Sequence, residues 1–232
     1  MTPPQSPPER PVREPLLNAP AVAVLLAASM PLLFLAQLWV GDPWILHLAF
    51  RPASLFDGRW WPGLVGAMLV HASWVHVGMN AIAALAFAPP VARLMSGARG
   101  VVAFLLFYTA CGVFASLGYG LVHADEQVPL VGASGAIFGL MGAAIRVLGR
   151  SDGRLRPLTD RTVLVNSAAL MAVNAGLGLV GLMPGADGAR VAWEAHAFGY
   201  IFGLVAIGPL LSLLNGRAAA FASADDLRDP PT

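Results

Sequence analysis

Long apolar stretches, separated by short polar links, form the main pattern along this chain. Most of them are long enough to cross a hydrocarbon core of roughly 30 Å as α-helices. We predict six membrane-spanning helices, called spans 1 to 6, at about 21–40, 74–94, 101–122, 134–148, 162–182 and 193–214. The predicted fold class is an all-α polytopic membrane protein, a six-helix bundle with a short fourth helix.

The segments around the spans differ from them in composition. Residues 1–20 are rich in proline and polar groups, which cannot build a packed core, so we expect a disordered cytoplasmic tail. Residues 21–215 form the predicted membrane domain, and 216–232 form a short cytoplasmic C-terminal tail. The link at 41–73 carries several tryptophans, which favour the membrane interface, and we expect it to lie on the bilayer surface or slightly within it.

The overall composition excludes several classes of protein. The chain is 57% hydrophobic and 12% charged, whereas soluble domains carry about 25% charged residues. Its net charge of +1 creates no basic field that would attract nucleic acid. Cys111 is the only cysteine, so one chain forms neither a disulfide nor a thiolate metal site. We expect no nucleic-acid partner, no cofactor and no metal ion.

The fourth span opens on a serine between small residues, Gly132-Ala133-Ser134-Gly135. Small residues alone would indicate only close helix packing. The apolar spans also contain His76, Asn80 and His196, however, and polar groups inside a membrane are costly enough to indicate a function. Together these residues make Ser134 a candidate nucleophile.

The expected depth of Ser134 suits hydrolysis. Arg150 follows Ser134 by sixteen residues, which is roughly 24 Å of helix against a core of roughly 30 Å. If Arg150 lies at the inner interface, the residues before Ser134 are non-helical backbone within the membrane. Such backbone is tolerated only where protein encloses it or where it lines a water-filled cavity.

Glycine stripes are expected to bring His196 to the serine. At about 100° per residue, each of spans 4 and 6 gathers its glycines near the face that bears the polar residue. These glycines are Gly135, Gly139 and Gly142 in span 4, and Gly199 and Gly203 in span 6. The alternative is that His196 only bonds a carbonyl in a crowded interface. Glu194 is expected to point away from His196, so the prediction is a Ser-His dyad without a carboxylate.

The second span offers two further polar side chains near its outer end. His76 and Asn80 are four residues apart and share a helical face, where both could donate hydrogen bonds to an oxyanion. The alternative is a polar clamp between helices. A zinc site is disfavoured because span 2 contains no carboxylate. His71 points elsewhere, and we assign it a structural role in capping or orienting the link before span 2.

Three motifs, H-x4-H-x3-N, G-x-S-G and A-H-x2-G-x3-G, occur in this order in spans 2, 4 and 6. In this combination they resemble the rhomboid family of intramembrane serine proteases. The resemblance implies that Ser134 is the nucleophile and His196 the general base. It also implies an oxyanion hole formed by His76, Asn80 and the backbone amide of Ser134.

The resemblance further implies supporting roles for residues around the dyad. Gly132 would allow the tight backbone before the serine, and Phe138 matches an aromatic ring that stacks on the histidine in relatives. Pro62 follows Trp60-Trp61 where the family commonly has an arginine, which puts in doubt the loop anchoring credited to that arginine.

The implied function is a serine endopeptidase that cleaves transmembrane or juxtamembrane segments of membrane proteins. Its substrates would enter sideways from the lipid, so its partners are transmembrane proteins and membrane lipids. One alternative is a non-catalytic rhomboid-like protein that binds membrane clients, although such proteins usually lack a member of the dyad. A small transporter is disfavoured because the polar residues cluster toward one face and no helix-level repeat is visible.

The positions of the arginines predict the orientation of the protein in the membrane. The chain contains no lysine, so only arginines enter the comparison. By the positive-inside rule, the side with more arginines is cytoplasmic. Eleven arginines lie in the tails, the 2–3 link and the 4–5 link: Arg10, Arg13, Arg93, Arg99, Arg146, Arg150, Arg154, Arg156, Arg161, Arg217 and Arg228. Only Arg51, Arg59 and Arg190 lie on the other side. Both termini are therefore expected in the cytoplasm of a bacterial inner membrane, with Ser134 toward the outer face.

Cysteine labelling tests this orientation. On a Cys111→Ala background, an impermeant reagent added outside should modify a cysteine introduced at Asp187 in the 5–6 link. It should not modify one introduced at Gly153 in the 4–5 link, which carries most of the arginines. The opposite labelling pattern would overturn both the orientation and the side assigned to Ser134.

Overall fold

The computed structural model describes residues 19–56, 61–150, 154–181 and 192–226. Most of the predicted N-terminal tail, the Trp60 position and nearly all of the 5–6 link therefore lie outside the described residues. The same holds for both labelling positions, Asp187 and Gly153.

Eight α-helices make up the described fold: α1 Ala21–Val40, α2 Asp42–Leu48, α3 Trp61–Gly66, α4 Trp74–Ala92, α5 Gly97–Val122, α6 Ser134–Ile145, α7 Arg161–Val180 and α8 Trp193–Asp226. Five of them contain stretches long and apolar enough to cross a membrane: α1, α4, α5, α7 and Trp193–Asn215 of α8. The shorter α6 is also apolar. Over the described residues there is no strand, and the all-α polytopic class is confirmed.

The helix ends follow from local residues. Ser73 caps α4 by accepting the backbone N–H of His76, and Asp160 caps α7 through the N–H of Thr162. Helix α4 ends two residues after the pair Pro89-Pro90, at Ala92. Helix α8 continues past the predicted end of span 6, through alanine-rich sequence of high helix propensity, so the predicted tail at 216–232 begins as helix.

Helix α6 lies at the centre of the bundle and contacts α4, α5, α7 and α8, while α1 packs on α4. Most of α6 is buried, and its buried residues are Ala136, Ile137, Gly139, Leu140, Gly142, Ala143, Ala144 and Ile145. Helix α7 differs: of its residues, all of which the structure describes, only Val163 and Asn174 are buried. It is the least enclosed of the helices around α6.

The glycine stripes of α6 and α8 lie against each other. A Cβ atom added at Gly199 would fall on the carbonyl oxygen of Gly135, and one added at Gly203 would fall on that of Gly139. The two backbones therefore approach as closely as helices can, which holds the start of α6 against the start of α8.

Parts of the 41–73 link are buried within the protein, whereas the sequence led us to expect it at the bilayer surface. Besides α2 and α3 it contains two 3₁₀ turns. Phe50, Leu64 and Ala67 are buried in a cluster that includes Leu130. Phe50 and Leu130 exchange backbone hydrogen bonds of 3.0 and 2.7 Å. The link thus supports the segment that leads into Ser134.

Because α6 and α8 approach so closely, a methyl group added at their contact should destabilise the protein more than one added in open space on another helix. Gly203→Ala should destabilise the protein by about 1–3 kcal/mol, because its methyl group has no space against the Gly139 carbonyl. Gly78→Ala in α4 is the matched control, since a Cβ there meets nothing within 4 Å. Thermal unfolding in detergent measures both variants. Equal unfolding temperatures would contradict the packing described here.

Candidate active site

Ser134 and His196 meet where two helices begin. Ser134 is the first residue of α6, and His196 lies in the first turn of α8. The Ser134 Oγ atom is 2.8 Å from the His196 Nε2 atom. His196 is only 5% exposed, so a histidine and a serine share a hydrogen bond in a nearly buried place. This is the geometry in which an imidazole can take the proton of a hydroxyl.

The other ring nitrogen of His196 contacts a residue that sequence reasoning missed. The Nδ1 atom lies 2.8 Å from Oδ1 of Asn174, which comes from α7. Asn174 also donates from Nδ2 to the carbonyl oxygen of Trp193 at 2.9 Å. The available signal was a polar side chain within an apolar span, the same argument that singled out His76 and Asn80.

Phe138 restrains the imidazole from one side. It lies one turn after Ser134 on α6, and its ring stacks on that of His196 with centroids 4.2 Å apart and planes 5° from parallel. The stacking blocks movement of the imidazole toward Phe138, and the hydrogen bonds at its two nitrogens hold it within its plane. The structure thus brings Phe138 to the place that the resemblance implied.

Gly132 lies between the serine and His76. Its φ of +116° is a backbone conformation that favours glycine. A Cβ atom there would lie 2.7 Å from both Cε1 and Nε2 of His76, and 3.8 Å from Ser134 Oγ. The Nε2 edge of His76 therefore faces the space beside the serine. Any larger residue at 132 would fill that space.

Asn80 lies one turn beyond His76 on α4 and is buried. Its Nδ2 atom donates to the His76 carbonyl oxygen at 3.1 Å, within the same helix. An amide nitrogen carries two hydrogens, so a second donor remains for an oxyanion. The N-terminus of α6 adds the backbone N–H of Ser134, because the first N–H groups of a helix have no partner within it.

His71 contributes through its backbone to the shape of the link before α4. Gln37 of α1 donates to the His71 carbonyl oxygen at 2.6 Å and accepts the His71 N–H at 2.9 Å. The His71 ring meets the His76 ring edge-on, with centroids 5.4 Å apart. Gln37 is a second partner that sequence reasoning missed.

The structure also places two other residues of the sequence analysis, Glu194 and Pro62. Glu194 is 3.3 Å from Nε2 of His123, in the 3–4 link, and is thus turned to a different partner than His196. Pro62 is in α3, the short helix within the 41–73 link. Across the described ranges no three His, Cys, Asp or Glu residues come together as metal ligands would.

The fold and this geometry define a class: a polytopic membrane protein with a hydrogen-bonded serine and histidine at the start of two packed helices. Residues 57–213 match the family model described as the Rhomboid domain. This match covers more than half of the 232 residues, and the chain belongs to the rhomboid family. The family resemblance of the sequence motifs is thereby confirmed.

Individual relatives agree with this assignment. The chain is 32% identical over 127 residues to YdcA of Bacillus subtilis, which carries a provisional rhomboid protease name; the match covers 53% of this chain and 61% of YdcA. It is 31% identical over 122 residues to the rhomboid protease GluP of the same species, covering 53% of this chain and 22% of GluP. It is also 32% identical over 151 residues to the chloroplastic rhomboid-like protein 11 of Arabidopsis thaliana, covering 63% and 51%. The matches thus span less than two thirds of each relative's length.

The position of His76 and Asn80 predicts their effect on turnover. His76→Ala and Asn80→Ala should each lower turnover by up to roughly 10²–10³, if each donates a hydrogen bond in the transition state. Substrate binding should change much less. Met79→Ala, on the exposed side of the same helix, serves as the control. Loss of binding and thermal stability in step with activity would favour a polar clamp between helices instead.

Proposed function

We propose that this protein is an intramembrane serine endopeptidase that hydrolyses peptide bonds in or next to transmembrane segments of other membrane proteins. The observation that carries the proposal is the 2.8 Å separation of Ser134 Oγ and His196 Nε2 within an apolar helix bundle. A serine hydroxyl attacks a carbonyl only with the help of an adjacent base, and this arrangement supplies one. The similarity to GluP, a rhomboid protease, agrees with it.

The reaction proceeds in two halves. In the first, Ser134 Oγ attacks the scissile carbonyl carbon while His196 Nε2 takes the hydroxyl proton. The imidazolium then gives this proton to the leaving amine, the peptide C–N bond breaks, and an acyl ester remains on Ser134. In the second half, water attacks the ester, its proton passes to His196, and protonation of Ser134 Oγ releases the acid.

Each attack places negative charge on the substrate oxygen. We assign its stabilisation to the side chains of His76 and Asn80 and to the backbone N–H of Ser134. The backbone nitrogen of Ala72 donates to His76 Nδ1 over a long distance of 3.5 Å. The opposite edge of the ring, which carries Nε2, faces Gly132. In a site with little water, donors held in advance stabilise such a charge strongly.

Substrates are proposed to reach the serine from the lipid. Helix α7 is mostly exposed along its length, with few buried side chains holding it to the bundle. Its flank is therefore the easiest place for a transmembrane segment to approach. Segments weakened by glycine or proline should be cleaved best, because they unwind most readily to present a bond.

We also propose that the protein resides in a bacterial inner membrane, with both termini in the cytoplasm and Ser134 toward the outer face. The excess of arginine in the 2–3 and 4–5 links supports this orientation. Membrane lipids are then its immediate surroundings, and transmembrane proteins are its substrates.

The proposal predicts that activity needs both members of the dyad. Ser134→Ala and His196→Ala should abolish cleavage of a model transmembrane substrate while both proteins remain folded in detergent. A fluorophosphonate probe should label Ser134 in the parent and neither variant, because labelling needs nucleophile and base together. Activity should fall at low pH, where a protonated imidazole cannot accept the serine proton.

Ser116→Ala is the matched control, since Ser116 is another buried serine within a helix. It should keep parental cleavage and labelling. Cleavage by Ser134→Ala, or a folded parent that neither takes the probe nor cuts any membrane substrate, would favour the client-binding alternative.

A further inference from the structure

Asn174 is unusual for its helix. It is 3% exposed, whereas apolar residues on either side of it, such as Val173 and Leu177, are exposed at 59% and 37%. A buried amide in an apolar helix is costly unless its groups are hydrogen-bonded. Both ends of this amide are bonded, and both partners belong to α8.

The two contacts fix which way round the amide lies. A backbone carbonyl can only accept, so the group facing Trp193 at 2.9 Å is the Asn174 NH₂. The group facing His196 Nδ1 at 2.8 Å is then the amide oxygen, which can only accept as well. Nδ1 of His196 must therefore carry a hydrogen.

This assignment determines the state of the other ring nitrogen. A neutral imidazole carries one hydrogen, so Nε2 is left with a lone pair directed at Ser134 Oγ, 2.8 Å away. In the opposite tautomer Nε2 would itself carry the hydrogen and could not accept the serine proton. Only the first tautomer is a base toward Ser134.

We propose that Asn174 is a positioning residue that holds His196 in the tautomer and orientation able to act as base toward Ser134, and that it does so only while α7 is seated on α8. This inference rests on the proposed function. It gives α7, the least enclosed of the helices around α6, a part in fixing the tautomer and orientation of His196.

The contacts of α7 explain why seating matters. The Gly178 backbone lies so close to Trp193 that an added Cβ would be 2.5 Å from the Trp193 Cβ. A second polar contact joins the helices at Ser167 Oγ and Tyr200 OH, which are 2.6 Å apart. Ser167 lies two turns before Asn174 and does not reach His196. Displacement of the Asn174 end of α7 would therefore break the bond to Nδ1 while leaving the rest of the dyad in place.

The first test compares substitutions at Asn174. Asn174→Leu keeps the branched shape of the side chain and removes the acceptor oxygen, so the rate of fluorophosphonate labelling and kcat should fall roughly 10–100-fold, with KM nearly unchanged. Asn174→Asp keeps an acceptor for Nδ1, and its carboxyl group can donate to the Trp193 carbonyl only when protonated, so it should lose less activity than Asn174→Leu. Ser167→Ala removes a polar contact between α7 and α8 two turns from Asn174, which leaves the bond to Nδ1 in place, so its labelling rate should stay close to that of the parent.

The second test displaces α7 without touching Asn174. Gly178→Ala should lower the labelling rate because its methyl group pushes α7 from Trp193. Gly176→Ala, two residues away on the same helix, is the control, because a Cβ there meets nothing within 4 Å. Its labelling rate should match that of the parent.

A spectroscopic measurement separates positioning from general stability. With ¹⁵N-labelled histidine, and assignment by a His196 variant, the parent should show a protonated Nδ1 and an unprotonated Nε2 at neutral pH. Asn174→Leu should show a mixture of tautomers. Parental labelling rates in Asn174→Leu, or losses in it and in Ser167→Ala that only follow thermal stability, would overturn the inference. A parent that is never labelled would instead overturn the proposed function.

Discussion

Backbone can leave the helical conformation inside a membrane only where protein satisfies its hydrogen bonds, and the site depends on this condition. The segment before Ser134 meets it through the 41–73 link. Leu130 pairs with Phe50, and the Gly132 N–H donates to the Ala67 carbonyl at 2.8 Å. Because these bonds are made, α6 can begin at Ser134, with its serine and its first N–H groups facing a common space.

The distance from serine to histidine then follows from the register of two glycine stripes. Gly199 lies against Gly135, and Gly203 lies against Gly139, so the two backbones are fixed along as well as across their axes. Ser134 and His196 each precede a member of the first pair by less than one turn. A side chain larger than hydrogen at Gly199 or Gly203 would push α8 from α6 and lengthen the hydrogen bond, although it would touch neither reacting group.

Much of this could be predicted from the sequence, because the signals are local. The bounds of α1 follow from its apolar run, and the motif residues sit in spans where polar groups are expensive. Asn174 could not be assigned in the same way. Asn166 is on the same helix, yet it bonds only the Thr162 carbonyl within that helix. Since apolar residues occur on every side of α7, the sequence pattern does not show which of its two asparagines faces the bundle. The packing of Phe50 was hidden for a similar reason, because burial there depends on contacts distant in sequence.

The imidazole is held by three groups from two neighbouring helices, and they do not hold it equally firmly. Stacking on Phe138 restrains the ring plane, the Ser134 hydroxyl engages Nε2, and Asn174 engages Nδ1. The first two come from α6, whose buried residues cannot move without disturbing the whole core. The third comes from α7, which has two buried residues of its own. A helix held so lightly can shift at low cost, and its shift changes one hydrogen bond of the base. On the proposed assignment, the helix beside which a substrate is proposed to approach also sets whether the histidine is in the tautomer that acts as base.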